Sequence, residues 1–174
     1  VFPGQDKTLN QLTTEDQLQK TFEVLDKIPK HIKVFLISGN HDAGRKALPQ
    51  PAIPKEYNSE LWDRENFFML GNPSLVSLNG VKVLMYHGQS IDDVVRTTPG
   101  VSYDKPAAVM RHFLKARHLS PIYGSRTPIA PETEDMMVID DVPDIFHSGH
   151  VHFVGLDMYK GVLIVNSGAW QRQT

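Results

Sequence analysis

Three apolar runs in this chain each end in a short polar signature, and they limit its fold more than any other feature. They are IKVFLIS (32–38) before Gly39-Asn40-His41-Asp42, VKVLMY (81–86) before His87-Gly88, and VPDIFHS (142–148) before Gly149-His150-Val151-His152. Each reads as a buried strand. Ile32 to Ile37 in particular is rich in β-branched residues and lacks polar alternation, as strands covered on both faces do. Strand ends that gather neutral imidazoles and one amide suit divalent metal ions, and such ions suit phosphate chemistry.

The segments between these runs supply helices and hairpins. Thr14 is expected to cap a helix, with Gln17 at the capping-box position and Leu18, Phe22, Leu25 and Ile28 as its apolar stripe. The proline-rich residues 43–62 read as an ordered surface loop, and Phe67–Leu70 as a segment that packs inward. Asn79-Gly80 between two apolar runs marks a hairpin of Ser74–Leu78 with Val81–Tyr86, because Asn-Gly accepts positive φ. A helix is expected over Pro106–His118 with Val109, Phe113 and Ala116 inward. A second hairpin joins Val154–Met158 to Val162–Val165. The fold class is therefore α/β: a layered, mixed β-sandwich flanked by helices, in one domain spanning 1–174.

Composition narrows the function. No run approaches the ~20 apolar residues that span a bilayer, so a membrane partner is not expected. The absence of cysteine excludes thiolate zinc sites and disulfides and fits a reducing, cytoplasmic setting. A net charge of -2 conceals a polarity: six basic residues against Asp104 between Val94 and Ala130, then six acids and no Lys or Arg between Pro131 and Asp144. Such a field steers a polyanion to one face, unless the two segments simply neutralise each other. The start at Val1-Phe2-Pro3-Gly4, without Met, reads as part of a longer chain.

His150 and His152, at i and i+2 in extended backbone, would point the same way and each reach one of two metals ~3.5–4 Å apart. The alternative is a pair of surface histidines near a turn. His87 ends an apolar strand, where histidine is often a satisfied hydrogen-bonding group, but Gly88 permits close approach of a ligand. Asn40 offers a hard neutral oxygen. His41, fixed and made more basic by Asp42, would act on a leaving oxygen, unless Asn40 and Asp42 serve only an Asx-type turn. Two adjacent dications normally need bridging carboxylates, and no Asp stands in a matching context: Asp92 and Asp93 look like helix caps or backbone anchors. The helix bearing Arg111, Lys115 and Arg117 is a candidate DNA-backbone contact or a solvated face. Tyr123 and Trp170 are expected to pack rather than stack on bases.

The signatures Gly39–Asp42, His87 and Gly149–His152 resemble the later motifs of the calcineurin-like metallophosphoesterases. Longer blocks, including VFPGQ (1–5), IPKHIKVFLISGNHD (28–42), YHGQSIDD (86–93), LKARHLSPIYGSRTPIAPE (114–132) and VIDDVPDIFHSGHVH (138–152), are similar to the small subunits of archaeal family-D DNA polymerases. More distantly they resemble the B subunits of eukaryotic replicative polymerases. The resemblance implies the carboxy-terminal portion of a metallophosphoesterase domain, with an Asp-x-His and a Gly-Asp-x-x-Asp motif upstream. It implies Asn40, His87 and His150 on one metal, His152 on the other, and His41, supported by Asp42, at the transition state.

The same resemblance implies a 3′-to-5′ proofreading exonuclease using two divalent ions, Mn²⁺ first, with Zn²⁺, Fe²⁺, Ni²⁺ or Mg²⁺ as other candidates. Its expected partners are DNA with a 3′ end and a large catalytic subunit, and this segment alone is expected to be inactive. Two other readings stay open: a noncatalytic scaffold subunit, and a phosphomonoesterase with the same two-metal chemistry.

Overall fold

The computed structural model describes residues 13–57 and 59–169. Helix α1 (Thr14–Leu25) begins one residue earlier than the sequence suggests. Thr13 is the N-cap, and its Oγ1 accepts the N–H of Asp16 at 3.0 Å. Strand β1 (Val34–Ile37) is shorter than its apolar run, because Ile32 still belongs to a turn, donating its N–H to the Pro29 carbonyl. The proline-rich loop holds a 3-10 turn at Lys55–Tyr57 and one helical turn, α2 (Ser59–Trp62), so part of it is an element after all. Strand β2 (Phe67–Leu70) then pairs in parallel with β1.

Leu18 and Phe22 of α1 pack with Ile53, Leu61, Phe67 and Met69 into one apolar cluster, and Leu25 and Ile28 lie at its edge. Arg64 staples this unit. Its guanidinium donates to the Asp26 carbonyl at 2.8 Å and the Ile28 carbonyl at 2.9 Å, and it stands over the Phe67 ring.

The second sheet has five strands in the order β3-β4-β5-β7-β6. Strands β3 (Ser74–Leu78) and β4 (Val81–Tyr86) form the expected hairpin, with Asn79 and Gly80 at φ 51° and 88°. Strand β5 (Ile145–Ser148) runs parallel to β4 and to β7 (Val162–Ser167), while β6 (Val154–Tyr159) closes the sheet as the antiparallel partner of β7. Parallel pairing of β4, β5 and β7 puts the ends carrying His87 and Gly149 on one edge of the sheet.

Helices α3 (Ile91–Thr97) and α4 (Pro106–Ala116) cover one face of this sheet. Val109, Met110 and Phe113 are fully buried there, whereas Ala116 is exposed, contrary to the expected stripe. The inward positions are 109, 110, 113 and 114, and the helix stops at Arg117, whose φ of 55° ends it before Ala116 reaches the sheet. Gly155 lets α4 approach β6, since a Cβ there would stand 2.8 Å from Pro106 Cγ. Among the described residues no helix is long and apolar enough to cross a membrane.

Candidate metal centre

The loops after β1, β4 and β5 meet at one end of the molecule. His87 Nε2 lies 2.8 Å from Asn40 Oδ1 and 3.2 Å from His150 Nδ1. Two neighbouring ligands of an octahedral ion at ~2.1 Å stand ~3.0 Å apart, so these separations are those of donors sharing one cation. The two imidazoles cross edge to face, their centroids 5.1 Å apart. Burial pushes His87 down from 6.5 to about 3, reinforced by His150 and His41. The ring is therefore neutral at pH 7, which is the form that binds a metal.

A buried amide relay holds these loops in register. Gln50 Nε2 donates to the Gly39 carbonyl at 3.0 Å, Asn72 Nδ2 donates to Gln50 Oε1 at 2.7 Å, and the His87 N–H donates to Asn72 Oδ1 at 2.8 Å. Both amide residues are almost wholly inaccessible. Gly39 has no room for a side chain, since a Cβ would lie 2.9 Å from the His87 ring. His150 takes φ 66°, a left-handed conformation uncommon outside glycine. The His150–His152 segment is thus a turn rather than the extended pair read from the sequence, although both imidazoles line the same cleft.

That cleft has a volume of about 780 Å³. Asn40, His41, His87, His150 and His152 line it, together with Asp92, Tyr103, Arg126 and Phe153. Asp92 is the clearest departure from the sequence reading. Asp93 does anchor backbone, accepting the N–H groups of Arg126 and Thr127 at 2.8 and 3.1 Å. Asp92 instead reaches His150, its Oδ1 3.4 Å from Nε2, and this contact is the main cause holding its carboxyl below the usual range. Nδ1 of His150 is left facing His87. A carboxylate on the far nitrogen fixes a ligating imidazole. Asp92→Asn is expected to weaken Mn²⁺ binding by about 10- to 100-fold in calorimetry on the full-length polypeptide. Unchanged affinity would contradict this role.

His41 also lines the cleft, and burial, with Lys46 and His150 nearby, holds its imidazole below 6.5 against the opposing pull of Asp42. The expected rise in basicity does not occur, because desolvation outweighs that carboxylate. Asp42 Oδ2 accepts the Gly39 N–H at 2.7 Å and the Asp42 N–H donates to the Gly39 carbonyl at 3.1 Å, which closes the loop by a bond running back along the chain rather than by the expected Asx-type turn. Among the described residues no group of three His, Cys, Asp or Glu side chains gathers closely enough to hold an ion unaided. The three donors have the spacing and neutrality of part of one cation's shell, and they supply no bridging carboxylate for a second ion.

Arg111, Lys115 and Arg117 do not line this cleft. Arg111 pairs with Asp157, and Arg117 donates to the Ile139 carbonyl at 2.6 Å. Part of the acidic segment is neutralised, but from outside the basic one: Arg45 pairs with Glu132 at 2.6 Å and Lys82 with Asp141 at 3.3 Å. Tyr123 is 88% exposed and does not pack; Trp170 lies outside the described residues.

Neutral His87 also sets a pH dependence for the metal-free protein. The unfolded imidazole takes up its proton near 6.5 and the buried one only near 3. The stability due to this group is therefore complete above about pH 6.5 and disappears as pH falls toward 3. Urea unfolding of the full-length polypeptide in EDTA is expected to show a loss of roughly 2 kcal/mol between pH 7.5 and 5. A flat profile across that window would contradict the buried neutral ring.

Comparison with known proteins agrees with the sequence blocks. Residues 3–153 match the model of the family of DNA polymerase alpha/epsilon B subunits. The whole chain is 52% identical to a DNA polymerase II small subunit of Archaeoglobus fulgidus, covering 35% of it. It is 47% identical to the one of Methanothermobacter thermautotrophicus (36% covered) and 43% identical to the one of Pyrococcus furiosus (28% covered), again over its full length. The chain thus spans about a third of the length of these relatives. A crystal structure of wild-type Vps29 complexed with zinc from Entamoeba histolytica aligns with 84% of this chain and 63% of its own, at 14% identity and a TM-score of 0.35, too low to support any inference. The chain belongs to the family of DNA polymerase alpha/epsilon B subunits, and its relatives there include archaeal DNA polymerase II small subunits.

Proposed function

We propose that the protein containing this chain is the 3′-to-5′ exonuclease subunit of a DNA polymerase, hydrolysing the terminal phosphodiester at a two-metal site. The layering proposed with it is the metallophosphoesterase sandwich. The single observation that carries the reading is the meeting of Asn40 Oδ1, His87 Nε2 and His150 Nδ1 within 2.8 and 3.2 Å. A site for phosphate chemistry needs Lewis acidity at the nonbridging oxygens, which bound divalent ions such as Mn²⁺ supply. Asn40, His87 and His150 would hold one ion and His152 the second. His41, neutral at pH 7 because it is partly buried, offers an N–H to the departing 3′ oxygen rather than a formal cation. The partners under this reading are DNA with a 3′ end and the large catalytic subunit.

One observation favours the scaffold reading: the described residues alone do not close a metal-binding set of ionisable side chains. The two readings part in a nuclease assay on the full-length polypeptide with Mn²⁺, beside His41→Ala. Exonuclease function predicts removal of 3′ nucleotides, reduced by about 100-fold or more in the variant with metal content retained. No cleavage by the parent protein would leave a scaffold, and preference for a phosphomonoester would leave a phosphatase.

A further inference from the structure

The cleft has a rim that the metal donors do not explain. Arg126 lines it, exposed, and no ion pair or side-chain hydrogen bond engages its guanidinium among the described residues. Its loop is not free: the buried Asp93 carboxylate clamps the backbone of Arg126 and Thr127 with one oxygen each. A fixed backbone thus presents an exposed cation at the mouth of the cleft, within electrostatic reach of Asp92 but with no carboxylate of the described residues in direct contact. Other arginines are spent internally, Arg45 on Glu132, Arg64 on Asp26 and Arg111 on Asp157.

Arg96, exposed on the last turn of α3, also makes no ion pair among the described residues, and unlike Arg117, which donates to the Ile139 and Asp140 carbonyls, it lies within electrostatic reach of Tyr103, as Arg126 does. Tyr103 lies near Asp92, and burial together with that carboxylate raises the phenol above its usual pKa, which places it on the His150 side of the centre. Phe153 and Tyr103, both in the lining of the cleft, are 48% and 38% exposed. Cations that track a backbone, interleaved with exposed aromatic faces, are what a single nucleic-acid strand requires.

We infer that Arg126 and Arg96 bind successive backbone phosphates of a strand entering the cleft, while Tyr103 and Phe153 stack on its bases. This deepens the exonuclease reading and rests on it for the location of the reacting end. It moves the strand contact from α4 to the loop after it and to α3.

The test reads binding without metal or cleavage. A fluorescein-labelled single-stranded oligonucleotide is titrated with the full-length polypeptide in EDTA at several salt concentrations. The double variant Arg96→Ala/Arg126→Ala is expected to bind at least about 10-fold more weakly at low salt. Its slope of log affinity against log salt should be shallower by about 1.4, two phosphate contacts fewer. Phe153→Ala should weaken binding roughly 5- to 100-fold with the slope kept, and Arg96→Lys/Arg126→Lys should restore the slope. Lys30→Ala, at the opposite end of β1, is the control for general charge. Parent-like affinity and slope in the double alanine variant, or an equal slope change in Lys30→Ala, would overturn the groove, as would a parent protein that does not bind the strand. A parent that binds but never cleaves would instead remove the exonuclease reading while leaving the groove in place.

Discussion

His87→Ala in the full-length polypeptide is expected to cut Mn²⁺-dependent 3′-end cleavage by at least about 100-fold, some 2.7 kcal/mol of barrier. The ring is the hub of the centre, since its Nε2 is the atom shared by the contacts to Asn40 and His150. Changing only an outer partner of a metal ligand costs about 10- to 100-fold, so losing the shared donor sets the upper end of that range as a floor. Metal titration and cleavage should fall together. Retained Mn²⁺ affinity with lost cleavage would mean that His87 acts in chemistry rather than in binding, and retained cleavage would remove it from the site.

Phe113→Ala is expected to destabilise the fold by about 3–5 kcal/mol, measured by urea unfolding in EDTA. The ring is wholly inaccessible and stands between Tyr86 and Phe146, with centroids at 6.1 and 6.5 Å. Tyr86 immediately precedes His87, and Phe146 lies on β5, which leads to His150. The cavity would therefore open beneath both strand ends of the proposed metal centre, and looser metal binding should accompany the lost stability. A loss under about 1 kcal/mol would show that the site collapses around the smaller side chain.

The sequence discloses those parts of the molecule whose cause is local. Asn79-Gly80 carries its turn conformation in its own chemistry, so the hairpin is legible to the residue. The strands before Asn40, His87 and Gly149 are legible as strands from their apolar runs, although Val34–Ile37 is only half-buried and not covered on both faces; parallel pairing aligns the ends of β4 and β5, whereas β1 belongs to the other sheet. What depends on distant partners is not legible. Asp92 looks like a helix cap because its neighbours in sequence start α3, whereas its partner, His150, is 58 residues away. Gln50 and Asn72 sit among prolines and turn residues and give no sign of the buried relay that ties Gly39 to His87. His41 reads as more basic because Asp42 adjoins it, but desolvation, which no sequence spacing records, prevails. Arg111 and Arg126 are equally cationic in sequence, and only the fold pairs one with Asp157 and leaves the other at the cleft.

The most direct test is anomalous scattering at the manganese edge from crystals of the full-length polypeptide grown with Mn²⁺. A peak is expected about 2.0–2.3 Å from Asn40 Oδ1, His87 Nε2 and the Nδ1, not the Nε2, of His150, with Asp92 on the opposite nitrogen. A manganese peak elsewhere in the crystal with none between those three atoms would contradict this centre.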